Sequence, residues 1–156
     1  MQLEQIIPYC DIIIGNEAEA AAWAQASGQP DTEDLTVVAR TLALLPKANP
    51  AGPRTVVITQ GPHSTIVVTS TDAKNPKIYP VNPLKDEDIV DTNGAGDAFA
   101  GGFLGALVAG HSLDKAVEVG HKLGAMCVQL VSRLQWPLFS LFVQSLTSHL
   151  QGRTTI

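Results

Sequence analysis

The sequence predicts an α/β layered fold. Short apolar runs, several closed by glycine, alternate with Ala- and Leu-rich stretches of helical length. Such alternation builds a sheet covered by helices rather than a bundle or a sandwich. The leading runs are apolar at every position, as strands buried on both faces are, which points to parallel strands. Size agrees with one compact domain: the chain has 156 residues, 45% of them hydrophobic and 16% charged. That is enough to bury a sizeable core and too apolar for a disordered chain.

Taken in order, Asp11-Ile-Ile-Ile-Gly15 reads as the first buried strand. The Ala-rich stretch 17–26 reads as a helix stopped near Gly28, where a left-handed residue ends it. Acids within 31–34 favour the start of a second helix over 35–45 through the helix dipole. Pro46, Pro50 and Pro53 make the next stretch a loop. Strands are expected at 55–59, ended by Gly61-Pro62, and then at 65–69, 77–81 and 89–90. The stretch 98–109 is apolar nearly all round and is expected as a central, fully covered helix. Gly110 ends it, and Ser112 is placed to cap the next helix. There Leu113, Ala116, Val117, Gly120, Gly124, Cys127 and Val128 recur at three- and four-residue steps, one face of a helix.

Charge and cysteine usage narrow the function. Ten Lys and Arg against fifteen Asp and Glu leave a net charge of -5, whereas non-specific nucleic-acid binding needs a basic face. Cys10 and Cys127 suggest neither a metal knuckle nor a disulfide framework. The longest uncharged apolar run is shorter than the roughly 20 residues a spanning helix needs, and the first residues lack the pattern of a signal peptide. The expectation is a reducing, cytoplasmic or nuclear setting, with no membrane and no nucleic-acid partner. His63, His111 and His149 show no metal-ligand spacing. Cys127 reads as a small core residue, and Trp23 as packing rather than a stacking platform.

One segment carries chemistry: Ile89-Val-Asp91-Thr92-Asn93-Gly94-Ala95-Gly96-Asp97-Ala98-Phe99. A short extended run delivers the chain to two glycines, and a long apolar helix leaves from them. Glycines there let the backbone turn tightly and bring bare N–H groups close to an anion. The helix start adds unpaired first-turn N–H groups and a positive dipole end. Such a bend binds phosphate and stabilises the oxygens of a phosphoryl group in transfer. Asp97, beside it, repels phosphate and so makes sense as the group that accepts a proton from an attacking hydroxyl. On spacing alone a plain reading stands equally: a turn followed by a decorated helix start. Neither the dinucleotide fingerprint nor the P-loop fits, since the former lacks its third glycine and His111 stands where the latter requires Lys.

The run Asp91-Thr-Asn-Gly-Ala-Gly-Asp97-Ala-Phe-Ala-Gly-Gly-Phe103 resembles the C-terminal signature of the ribokinase-like (PfkB) carbohydrate and nucleoside kinases. With Asn93 in the variable position, it is most similar to the members that phosphorylate adenosine. Gly15-Asn16-Glu17-Ala18-Glu19 is similar to the family's Asn-x-x-Glu element. Thr59-Gln60-Gly61 resembles the strand end that lies against ATP, and Gly120-His121 begins a match to the helix that borders its adenine. The resemblance implies a partial ribokinase-like three-layer α/β/α fold, with a mostly parallel central sheet flanked by helices. It implies transfer of the ATP γ-phosphate to the 5′-hydroxyl of adenosine, with Asp97 as base and the Gly94, Ala95 and Gly96 amides as anion hole. It also implies that Asn16 and Glu19 serve Mg2+ through water, and that Thr59, Gly61, Asn93 and His121 line the nucleotide site. On the residues alone, Asn16 and the acids after it read as an ordinary strand end and helix start, and His121 as a packed histidine.

The similarity covers 10–129, and family members are much longer. The chain therefore reads as two parts: 1–132, the ATP and catalytic portion of such a kinase, and 133–156, a divergent tail. That tail holds three of the six Phe and Trp residues and no acidic residue. Family members are expected to be monomers, whereas a sheet with an open edge is expected to associate. Two alternatives stay beside the kinase reading: an inactive nucleotide-binding fragment, and a ribokinase-like sugar kinase.

Overall fold

Side chains of successive strand residues point to opposite faces, so a strand apolar throughout needs cover on both sides. The computed structural model, which describes residues 2–29 and 33–130, meets that need with two cores. On β2 (Thr55–Thr59), Val56 and Ile58 enter one core and Val57 the other; on β3 (Ser64–Thr69), Ile66 and Val68 join the first and Val67 the second. A short helix α1 (Gln2–Ile6) precedes the sheet. Helices α2 (Glu17–Ala26) and α3 (Leu35–Leu44) close the first core with Trp23, Ala24, Val38 and Leu42. Helices α4 (Ala95–Val108) and α5 (Leu113–Leu130) close the second with Phe99, Phe103, Ala116 and Val117. The expected three-layer α/β/α order is present.

The sheet runs β1 (Ile12–Asn16), β2, β3, β4 (Lys77–Pro80) in space as in sequence. β1 pairs parallel with β2, while β2–β3 and β3–β4 are antiparallel. The expectation of a mostly parallel sheet is corrected accordingly: the sheet is mixed. Connection length decides this. β1 reaches β2 through two helices, a crossover that keeps strands parallel, whereas four residues join β2 to β3 and a turn that short only makes a hairpin. Its hydrogen bonds run from Gln60 N–H to Ser64 O (2.9 Å) and from His63 N–H to Gln60 O (3.0 Å), with Gly61 at φ +51°.

Two further expectations are corrected. Residues 89–90 form no strand; the N–H groups of Val90 and Asp91 both donate to Val128 O of α5, at 3.1 and 3.2 Å. A carbonyl of α5 thus takes the place that a neighbouring strand would have. Helix α4 starts at Ala95, with Asp97 in its first turn, but is not covered all round. Phe99, Gly102, Phe103 and Ala106 are buried, but Leu104 lies at the surface and Val108 is 90% exposed.

Other elements follow the sequence. Gly28 takes φ +67° after α2, Asp34 Oδ1 accepts Thr36 N–H at 2.8 Å to cap α3, and Ser112 Oγ accepts Lys115 N–H at 3.3 Å. Helices α4 and α5 meet almost backbone to backbone. A Cβ on Gly102 would come within 3.0 Å of Val119 O, and one on Gly120 within 2.8 Å of the Phe99 ring. No helix among the described residues is long and apolar enough to cross a membrane. The tail 133–156 lies outside the described residues.

Candidate active site

The bend before α4 is built by local hydrogen bonds. Asp91 Oδ1 accepts Asn93 N–H at 2.8 Å, an Asx turn of the kind short acidic side chains make with their own backbone. Gly94 then takes φ +76° and ψ −2°, a left-handed conformation that costs any residue with a Cβ. Ala95 N–H turns back to Thr92 O (3.3 Å), and Ala98 N–H makes the first helical bond to Gly94 O (2.9 Å). Helix geometry leaves the first-turn N–H groups without a carbonyl one turn back, at the positive end of the α4 dipole. Helix α5 supports the bend from behind. Besides the two bonds to Val128 O, the Cys127 thiol reaches Asn93 O at 3.6 Å, and a Cβ on Gly124 would come within 3.3 Å of Ala95 O.

Gly94, Gly96, Asp97 and Ala100 form one wall of a cleft of about 290 Å³. Ile14, Gly15, Asn16, Glu19 and Thr59 form the other. β1 and β2 both end here, so the cleft lies at the carboxyl ends of the parallel pair, where open α/β sheets place their ligands. Asn16 and Glu19 hold each other in a capping box. Asn16 Oδ1 accepts Glu19 N–H and Glu19 Oε2 accepts Asn16 N–H, both at 2.9 Å. Two orphan N–H groups at the start of α2 are thereby satisfied together. Gly15 leaves room for this: a Cβ there would sit 3.0 Å from Glu19 Oε2. Thr59 Oγ1 reaches Gly15 O at 3.4 Å, across the parallel pair.

The structure thus gathers Asn16, Glu19, Thr59, Gly94, Gly96 and Asp97 around one space. Asn93 and Ala95 are the backbone neighbours of the lining Gly94, and Gly61 sits on the β2–β3 hairpin. His121 stands elsewhere, its Nε2 2.9 Å from Thr65 Oγ1 and its ring against Phe99. Burial pushes its imidazole pKa below the ordinary value. Sequence reading did not single out Ile14 or Ala100 as lining residues. Their only signal is position, beside Gly15 and one turn beyond Asp97 respectively.

The donor set suits a cation that keeps its water. Asn16 Oδ1 and Glu19 Oε2 are committed to the cap, which leaves Glu19 Oε1 and the Asp97 carboxylate as oxygens of lining residues. Among the described residues no three His, Cys, Asp or Glu side chains converge into a cage. One or two carboxylates plus water and substrate phosphates is how Mg2+ is commonly held.

Known proteins share this arrangement of sequence and fold. The profile of the pfkB family carbohydrate kinases matches residues 1–133. An adenosine kinase of Schizophyllum commune is 53% identical over 136 residues, which cover 86% of this chain and 40% of that protein. The crystal structure of Anopheles gambiae adenosine kinase in complex with P1,P4-di(adenosine-5) tetraphosphate superposes with a TM-score of 0.79 at 38% identity, over 83% of this chain and 37% of that one. A Thermotoga maritima ribokinase superposes with a TM-score of 0.68 at 26% identity, over 82% and 39%. The chain spans about two-fifths of the length of these proteins. A match over most of its residues, a ribokinase-type α/β/α arrangement and this degree of identity place it: the chain belongs to the pfkB family of carbohydrate kinases.

Proposed function

We propose that the chain carries the phosphoryl-transfer site of an adenosine kinase, converting ATP and adenosine to ADP and AMP. The observation that supports this most is the cleft itself, where Asp97 and the Gly94–Gly96 bend face Asn16, Glu19 and Thr59. The 53% identity to an adenosine kinase supports adenosine as the acceptor. A related enzyme also holds a ligand in which two adenosines are joined through phosphates.

In this reading the first-turn amides of α4, with Gly94 and Gly96 lining the cleft, receive the γ-phosphoryl oxygens as negative charge shifts during transfer. The 5′-oxygen of adenosine bonds to the γ-phosphorus as the bond from that phosphorus to the β–γ bridging oxygen breaks, leaving ADP. Asp97 takes the hydroxyl proton and releases it to water. A loose transition state asks for position and late proton removal rather than a strong base. Glu19, Asn16 and their waters would hold Mg2+, which supplies neutralising charge to the phosphate oxygens. Thr59 would contact the nucleotide at the strand end, with Gly61 and Asn93 on the adjoining backbone.

The test is ADP release by the full chain with ATP, Mg2+ and adenosine, ribose or inosine as acceptor. Adenosine-dependent release above the other two supports the reading. Preference for ribose makes it a sugar kinase, and nucleotide binding with no release on any acceptor makes it a binding fragment.

A further inference from the structure

His121 occupies the seam between α5, α4 and β3. Its Nε2 lies 2.9 Å from Thr65 Oγ1, and Thr65 is only 1% exposed, so its hydroxyl has no bulk water to turn to. The imidazole also lies against the Phe99 ring, at a centroid distance of 5.6 Å and a tilt of 44°. Phe99 is 4% exposed and stands two residues beyond Asp97 on α4. Its remaining sides are closed. The Phe103 ring stacks on it at 6.1 Å, and Gly120 comes so near that a Cβ would be 2.8 Å from two ring carbons. The first turns of α4 can therefore shift over α5 only if His121 moves as well.

Thr65 gives the latch its reference point. It is the cross-strand partner of Thr59, which lines the cleft on the side opposite α4. Thr59 in turn reaches Gly15 O on β1. The two walls of the cleft are linked through Thr59, Thr65, His121 and Phe99. Catalysis by oriented amides is sensitive to placement well below 1 Å, which makes such a link consequential.

We propose that His121 is a positioning residue: fastened to Thr65, it holds Phe99 and with it the α4 bend of Gly94, Gly96 and Asp97 in register with the β1–β2 wall. Its catalytic consequence rests on the kinase reading, while its geometric consequence does not. The role is distinct from contact with a nucleotide, and the experiment separates the two.

The experiment compares the full chain with His121→Gln, His121→Phe and His121→Phe combined with Thr65→Val. Gln can set an amide atom near the place of Nε2. Phe keeps a ring against Phe99 but strands the Thr65 hydroxyl, and Val removes that stranded group, so the double variant protects against simple misfolding. Hydrogen exchange is read at the amides of Ala95 and Ala98, with those of Val56 and Ile58 in β2 as internal reference. We expect exchange at Ala95 and Ala98 to quicken about tenfold in both Phe variants, with β2 unchanged and Gln close to the parent. In turnover, kcat should fall about tenfold in the Phe variants while KM for ATP moves less than about twofold.

Unchanged exchange, with or without a rise in KM for ATP, would overturn the proposal, and the rise would make His121 a nucleotide contact. Equal quickening in β2 would also overturn it, by making His121 a general stability residue. If even the parent chain releases no ADP, the kinase reading fails while exchange at Ala95 and Ala98 still decides the positioning role.

Discussion

Arg54 carries its charge into the core, 1% exposed, with no carboxylate beside it among the described residues. Five backbone carbonyls take its five N–H donors. Nε donates to Cys10 O (3.0 Å), Nη1 to Leu42 O (3.1 Å) and Leu45 O (2.7 Å), and Nη2 to Ile7 O (2.8 Å) and Pro46 O (3.1 Å). These carbonyls lie at the end of α3 and in the turn after α1; Ile7 O and Leu42 O also accept Cys10 N–H and Leu45 N–H, while Cys10 O, Leu45 O and Pro46 O depend on the guanidinium more fully. The planar fork thus ties two chain segments, 7–10 and 42–46, to the start of β2. Replacing it by Met keeps the bulk and strands the carbonyls. Arg54→Met should destabilise the fold by at least about 3 kcal/mol, given that a bond to a charged donor contributes roughly 1.5–3 kcal/mol. Denaturant titration measures the loss, and a shift below about 1 kcal/mol would refute the staple, because that is the scale of one ordinary hydrogen bond. Nothing in the sequence marks this role. An Arg after three prolines reads as a loop charge, and its partners at 7, 10, 42, 45 and 46 converge only in the folded chain. The bend beside Asp97 was legible for the opposite reason: its glycines and its helix lie within a few residues of one another.

Among the elements, α2 shows a structural and a chemical reading meeting in the same residues. The Asn16–Glu19 capping box begins the helix, and the same two residues line the cleft. A capping box accepts Gln in place of Glu, which separates the two duties. In Glu19→Gln the melting temperature should stay within about 2 °C, since the cap contributes only on the order of 1 kcal/mol and is retained. The Mg2+ concentration needed for half-maximal ADP release should rise several-fold. Lost stability with unchanged magnesium dependence would leave Glu19 a cap alone. Elements with a local signal were readable from sequence: α2 from its alanines and closing glycine, α3 from the acids before it, and the buried face of α5 from its three- and four-residue steps. The sheet's direction was not. Continuous apolarity says that β2 and β3 are covered on both sides, and Gly61-Pro62 marks the end of β2 without saying that the turn is a hairpin. Residues 89–90 look like a strand to any pattern, and only their bonds to Val128 O of α5 show why they are not.

At the scale of the molecule, the cleft joins chain positions 14–19, 59 and 94–100, which no local pattern links. The crossover that makes β1 and β2 parallel sets their carboxyl ends side by side, and the packing of α4 on α5 brings the bend over them. The chain spans about two-fifths of the length of its relatives. Its β1 edge and the Leu104 and Val108 side chains of α4 are open in the described residues. Apolarity predicted that α4 is packed, but not that only one of its faces is. The claim on which the rest depends is that Asp97 takes the acceptor's proton beside the glycine bend. The most direct measurement is ATP affinity and adenosine-dependent ADP release by Asp97→Asn next to the parent chain. The account predicts unchanged ATP affinity, within about threefold, and turnover lower by about 10²–10⁴-fold, the range for losing a positioned acid–base group. Turnover within threefold of the parent would contradict it.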